Sequence, residues 1–254
     1  MKVKVLGCSG GIGDKLRTTS LLVGDNILID AGTGAADLSI EQLLKVDHIF
    51  VTHSHLDHIA CIPLLLDTVI GLRINPVTVH ATKDTITALK QHIFNWVIWP
   101  DFNEIPSKTQ PFLQYHEIVL AQSINLGETT ITVLPANHVV PAVGYQINSG
   151  SNSLVFSGDT TSCDALWAVV NKIENLKYIL IETAFSNGEL ELAKVSKHFC
   201  PSMLADDLDK LTVATEVFIT HLKPIDSQVI LQEIISSSVN RTCKMLINGQ
   251  EFTL

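Results

Sequence analysis

Short apolar, β-branched runs alternate along this chain with segments of helical period, and that alternation predicts an α/β layered fold. The predicted strands are Lys2 to Leu6, Ser20 to Val23, Asn26 to Asp30, His48 to Thr52, Val77 to His80, Thr130 to Leu134, Val143 to Ile147, Leu154 to Ser157, Tyr178 to Glu182, Val217 to Thr220 and Lys244 to Ile247. Helical spacing predicts helices over Ala35 to Leu44, His58 to Gly71, Asp84 to Asn95, Asp164 to Asn171, Glu189 to Val195, Pro201 to Leu211 and Asp226 to Ser237. The two halves share a strand-helix rhythm without sharing sequence. No fixed-period repeat, low-complexity tract or long linker interrupts them, which predicts one domain over residues 1–254. The least regular stretch, Phe94 to Gln114, gathers three prolines and several aromatics and reads as an insert at about 94–114.

Composition narrows the partners. With 46% hydrophobic and 17% charged residues in 254, the chain can bury a substantial core. A formal net charge of -9 and the lack of any Lys/Arg run make nucleic acid or an anionic membrane surface a poor partner. The start, Met1-Lys2-Val3-Lys4-Val5-Leu6, is too short in apolar length for a secretory signal, and no stretch has the length to span a bilayer. Five cysteines without paired spacing fit reduced thiols, so a cytoplasmic location is expected.

The chemistry concentrates in His53-Ser54-His55-Leu56-Asp57-His58, directly after the apolar Ile49-Phe50-Val51-Thr52. Imidazoles and a carboxylate suit a borderline divalent ion such as zinc. A loop leaving a buried strand can turn the alternate side chains His53 and His55 toward one ion and leave Asp57 and His58 for a second. More ligands should then sit alone at other strand ends. His138 follows the strand Thr130 to Leu134, Asp159 follows the Gly158 turn after Leu154 to Ser157, and His221 closes Val217 to Thr220. Each alone reads as an ordinary loop residue; together with the hexad they form a consistent set. Gly7 to Gly13 matches neither a P-loop nor a dinucleotide fingerprint and is expected to form a tight turn near the site.

His53-x-His55-x-Asp57-His58 followed by His138, Asp159 and His221 resembles the motif series of the metallo-β-lactamase-fold hydrolases, over nearly the whole chain. The resemblance implies a four-layer αββα sandwich holding two divalent ions, zinc foremost, with Mn2+, Fe2+ or Ni2+ as alternatives. By that family's pattern His53, His55 and His138 hold the first ion, Asp57, His58 and His221 the second, and Asp159 bridges them. Asp30 in Leu28-Ile29-Asp30-Ala31-Gly32 resembles the family's early strand-end aspartate, and it reads either as the carboxylate that orients a ligating imidazole or as a turn cap.

Three segments resemble one branch, the class II cyclic-nucleotide phosphodiesterases. They are Leu56 with Ile59 around the last two hexad ligands, the aromatic run Ile93 to Phe102, and Glu182 with His198-Phe199-Cys200-Pro201. Cys61-Ile62-Pro63, and Phe199-Cys200 inside the later segment, depart from the branch's usual residues. The resemblance implies hydrolysis of 3′,5′-cyclic AMP, or cyclic GMP, to the 5′-nucleotide by metal-activated water. His198, oriented by Glu182, then protonates the leaving oxygen or binds the phosphate, unless it is an exposed residue at a helix start. Trp96, Trp99 and Phe102 are candidates to stack on a purine, and packing against the body or a homodimer contact explains them as well. The competing readings are a tRNA 3′-end endonuclease, which lacks here the basic arm its family uses, a lactonase, and a metal-stabilised binding module without turnover.

Overall fold

The computed structural model describes residues 1–237 and 241–254. In chain order the elements are β1 (Lys2–Gly7), β2 (Ser20–Val23), β3 (Ile27–Ile29), α1 (Ile40–Leu43), β4 (His48–Phe50), α2 (Leu56–Ile59), α3 (Cys61–Val69), β5 (Val77–Ala81) and α4 (Lys83–His92). Then follow β6 (Pro106–Ser107), β7 (Gln110–Pro111), β8 (Leu113–Glu117), β9 (Ser123–Leu126), β10 (Thr129–Pro135), β11 (Val143–Asn148), β12 (Ser153–Phe156), α5 (Asp164–Val170) and β13 (Leu176–Glu182). The chain finishes with α6 (Leu190–Ser196), α7 (Pro201–Leu208), β14 (Glu216–Thr220), α8 (Ser227–Ser237), β15 (Cys243–Met245) and β16 (Glu251–Thr253).

Two seven-stranded sheets result, ordered β16-β1-β2-β3-β4-β5-β8 and β15-β14-β13-β12-β11-β10-β9, with β6 and β7 as a separate hairpin. Each sheet is antiparallel toward one edge and parallel toward the other: β3, β4, β5 and β8 run together, as do β12, β13, β14 and β15. The strands are apolar on both faces, and the period of two divides them between layers. Ile27 and Ile29 point into the core between the sheets with Phe50, Tyr145, Leu154 and Phe156. Leu28, Ile49, Val77 and Val79 face outward and pack under Ile62, Leu65 and Leu66 of α3 and Leu89 of α4. On the other side Val155, Ile179, Ile181 and Ile219 pack under α5, α7 and α8. These three cores separate four layers, αββα.

Several boundaries differ from the sequence expectation, each for a local reason. The helix expected over Ala35 to Leu44 is a 3-10 turn (Thr33–Asp37) followed by α1, because Ser39 and Gln42 cap one another reciprocally and start a new helix. The helix expected from His58 begins inside the hexad, at Leu56, so Asp57 and His58 lie on its first turn rather than on a loop. The strands β8, β9 and β16 escaped the apolar pattern. All three are sheet edges, paired on one side only and correspondingly polar.

The parallel blocks place the site. In parallel strands all carboxyl ends reach the same rim, so Asp30 after β3 and the hexad after β4 emerge together. Asp159 after β12, Glu182 ending β13 and His221 after β14 do the same on the facing sheet.

Candidate metal centre

Local backbone geometry sets each carboxylate and imidazole. Asp30 ends β3 in the left-handed region (φ 56), a conformation that aspartate tolerates better than most residues. There its Oδ1 accepts from the Thr52 amide at 2.8 Å and its Oδ2 from the Thr52 hydroxyl at 2.8 Å. Taking that amide out of the ladder is why β4 stops at Phe50, short of the expected Thr52. The same Oδ2 is 2.7 Å from His58 Nδ1, with both residues fully buried. Gly158 turns at φ 61, and a Cβ there would meet the Val143 carbonyl oxygen at 2.8 Å. His221 is also left-handed (φ 65), and its amide donates to the Cys8 carbonyl at 2.7 Å. The glycine-rich segment therefore lies against the site: a Cβ on Gly10 would fall 2.5 Å from the His221 carbonyl oxygen.

The side chains converge in three groups, each with ligand atoms within 4.8 Å of one another: His53, His55, His138 and Asp159; Asp57, His58, Asp159 and His221; and Asp159, Glu182 and His198. Asp159 belongs to all three. Its oxygens stand 3.3 Å from His58 Nε2, 3.2 Å from His221 Nδ1 and 3.6 Å from His53 Nε2. Those nitrogens are buried, yet none has a properly aligned hydrogen-bond partner among the described residues. An unsatisfied buried polar atom costs about 1–3 kcal/mol, so three aimed at one carboxylate need a common partner. A divalent ion held among these groups would supply it, and the donor set of imidazoles and carboxylates fits such an ion.

The electrostatics agree for four of the five imidazoles. Burial pushes His53 well below the ordinary histidine range, lowers His55, and pushes His138 and His221 down to about 4, keeping them in the neutral form that donates a lone pair. For His58 burial acts the same way, but Asp159 and Asp30 outweigh it and raise the pKa well above normal. For Asp159 burial favours the neutral acid, and the surrounding imidazoles of His221, His58 and His53 reverse this and hold it well below the carboxylate range.

His198 is buried, not the exposed helix-start residue that the sequence left open. Its Nδ1 lies 2.7 Å from Glu182 Oε1, and the other Glu182 oxygen accepts from the Phe199 amide at 3.3 Å. Burial opposes charging His198, while Glu182 beside it outweighs burial and raises its pKa.

Sequence reasoning missed three supports. Thr52 ties Asp30 to His53, with its hydroxyl 3.0 Å from His53 Nδ1. Lys197, left-handed at φ 53, presents its carbonyl 3.1 Å from His138 Nδ1 and donates its ammonium to the His138 carbonyl at 3.2 Å. Phe185 stands edge-on to His198 with ring centroids 5.6 Å apart. Only adjacency to the histidine motifs hinted at any of them.

The aromatic insert is not part of this cluster. Helix α4 leaves the site rim after β5 and runs ten residues, about 15 Å, to the opposite end of the sheet. There the Leu113 amide donates to the Phe102 carbonyl, and Leu113 is level with Val77, the start of β5. Phe102 is buried beside Phe94, and Trp99 packs against the same core. Trp96 alone of the three candidates is exposed. The Phe102 ring is buried and does not face the metal cluster, which corrects the stacking expectation for that residue: Phe94, Phe102 and part of Trp99 pack into the core, worth about 1.5–3 kcal/mol for a fully buried Phe.

The Beta-lactamase superfamily domain model matches residues 25–222, and the chain belongs to that family, a family of metal-dependent hydrolases. A probable 3′,5′-cyclic-nucleotide phosphodiesterase from Yersinia pestis is 26% identical, with 88% of this chain and 78% of that protein covered. A Ribonuclease Z from Clostridium beijerinckii is 30% identical over 56% of this chain and 47% of its own length, so the chain spans about half of that relative. Among solved structures, unliganded yeast PDE1 superposes with a TM-score of 0.79 at 16% identity, covering 100% of this chain and 99% of that one. The metallo-beta-lactamase fold protein YhfI from Bacillus subtilis gives 0.75 at 20% identity, covering 99% and 98%. These likenesses establish the metallo-β-lactamase fold. No helix among the described residues is long and apolar enough to cross a membrane.

Proposed function

We propose that this chain is a dinuclear phosphodiesterase that hydrolyses 3′,5′-cyclic AMP, or cyclic GMP, to the 5′-nucleotide. The observation that carries the reading is the buried His198–Glu182 pair, 2.7 Å apart and sharing Asp159 with both ligand groups. His53, His55 and His138 would hold one ion and Asp57, His58 and His221 the other, with Asp159 belonging to both groups. When bound, the ions would supply a nucleophile of lowered pKa and neutralise the phosphate charge.

The chain's own residues do the rest. Asp30 holds the His58 Nδ1 proton, which leaves Nε2 free to ligate. Glu182 holds the His198 Nδ1 proton, so Nε2 is the atom that donates to the leaving 3′-oxygen or to a phosphate oxygen. The substrate class rests on the Yersinia relative and on the segments around Leu56 and Glu182. It no longer rests on Phe102.

The second reading, a tRNA 3′-end endonuclease, draws on the 30% identity to a Ribonuclease Z. A net charge of -9 without a basic run opposes it, because phosphate backbones are bound chiefly by cations. A turnover screen with defined zinc content, across cyclic AMP, cyclic GMP, a pre-tRNA, a lactone and bis(p-nitrophenyl) phosphate, separates these. Hydrolysis of cyclic AMP is expected, abolished by chelation or by Asp57→Ala. Hydrolysis of the generic phosphodiester without turnover of either cyclic nucleotide would sink the substrate assignment and leave the hydrolase standing.

A further inference from the structure

The inner face of a sandwich sheet is ordinarily apolar, because it meets the facing sheet. On three neighbouring parallel strands of the first sheet that rule fails. The positions on that face are His48 and Phe50 on β4, Thr78 and His80 on β5, and Gln114 and His116 on β8, with Phe50 level with His80 and His80 level with His116, and the face opens to solvent at β8, where Gln114 and His116 are exposed. Three of the chain's ten histidines thus share one face, outside the cluster built from the hexad.

His80 is the centre of this group. It is buried, and its ring stacks on Phe50 at 4.2 Å and 4°. His80 Nε2 is 3.0 Å from His48 Nδ1, and its ring centroid is 5.0 Å from that of His116. Whichever nitrogen of the pair carries the proton, His80 Nδ1 is buried with no hydrogen-bond partner among the described residues. Three imidazoles thus run from the buried His80 through the half-buried His48 to the exposed His116.

We propose that His48, His80 and His116 form a second metal site, separate from the dinuclear centre, for a late first-row divalent ion such as zinc. Two imidazole nitrogens on a tetrahedral ion at 2.0–2.1 Å are about 3.3 Å apart. The His48–His80 separation of 3.0 Å is within a few tenths of that. The third nitrogen does not converge with both partners as it stands. His116 is exposed on the edge strand, and in the bound form its side chain would turn toward them. Burial keeps His80 and His48 below the ordinary histidine pKa, which favours the neutral ligating form. With only neutral nitrogen donors converging, the site selects zinc, nickel or copper over magnesium or calcium. The ion would tie β4 and β5 to the edge strand β8.

Metal content after equilibration with micromolar free zinc tests this in the intact chain. The wild type is expected to retain one equivalent per chain more than His116→Ala or His48→Asn, with phosphodiester hydrolysis unchanged in both variants. His116 is exposed, so its replacement leaves the fold intact. Equal metal content in the wild type and His116→Ala overturns the proposal. So does loss of metal and hydrolysis together, which would place the lost ion in the dinuclear centre.

Discussion

Asp30 Oδ2 lies 2.7 Å from His58 Nδ1, and neither residue has any exposed surface. The carboxylate also takes both the amide and the hydroxyl of Thr52, so one side chain fixes a ligand candidate and the strand end that launches the hexad. Removing a partner that orients a metal-ligating histidine costs about 10–100-fold in metal affinity. Asp30→Ala is therefore expected to weaken zinc retention by that margin, and to lower stability by about 1–3 kcal/mol for each buried donor left without its acceptor, the His58 N–H and the Thr52 amide. Competition with a chelator reads the first effect and denaturant unfolding the second. Unaltered zinc affinity would reduce Asp30 to a turn cap.

His198→Ala separates catalysis from metal binding. A general acid contributes about 10²–10⁴-fold, so kcat should fall by that order while both ions stay. Parallel loss of metal would make His198 a ligand. Glu182→Gln should lower kcat as well, because the amide no longer stabilises the charged imidazole that the carboxylate holds at 2.7 Å.

Gly10 tests the contact between the glycine-rich turn and His221. A Cβ at Gly10 would sit 2.5 Å from the His221 carbonyl oxygen and 2.9 Å from its Cδ2, closer than such atoms can approach. Gly10→Ala is expected to displace His221, cost about 1–3 kcal/mol of stability as an overpacked site, and reduce zinc content by the ion of the second group. Full metal content and full activity would count against that contact.

Acid sensitivity follows from His80, whose pKa burial lowers from 6.5 to about 3. Between those values the unfolded chain binds a proton there that the folded chain does not, so stability falls as pH drops below 6.5. The slope from this one group is about 1.4 kcal/mol per pH unit at most. The neighbouring imidazoles of His48 and His116 act in the same direction on it. Urea midpoints measured for wild type and His80→Gln should diverge with pH, the variant losing less stability on acidification. Parallel acid limbs would refute the assignment.

Much of the centre was legible because its ligands follow apolar runs: His53, Asp159 and His221 each come directly after a buried strand or its turn, and continuous apolar runs mark those strands. Edge strands such as β8 were not legible, since one unpaired side permits polar residues and erases the pattern. The insert misled for a related reason. Aromatics in an irregular segment look the same whether they pack inward, as Phe94 and Phe102 do, or face a ligand.

By itself the sequence determined the layered α/β class, the residues capable of metal chemistry and their attachment to strand ends, because ligand type and periodicity are local properties. Tertiary structure decided what those residues meet. Which rim the parallel strands share, that Asp159 stands in all three groups, that Lys197 faces His138, and that Phe102 lies a helix length from the centre are matters of topology. So is the gathering of His48, His80 and His116, which are far apart in sequence and meet only because strands β4, β5 and β8 lie side by side.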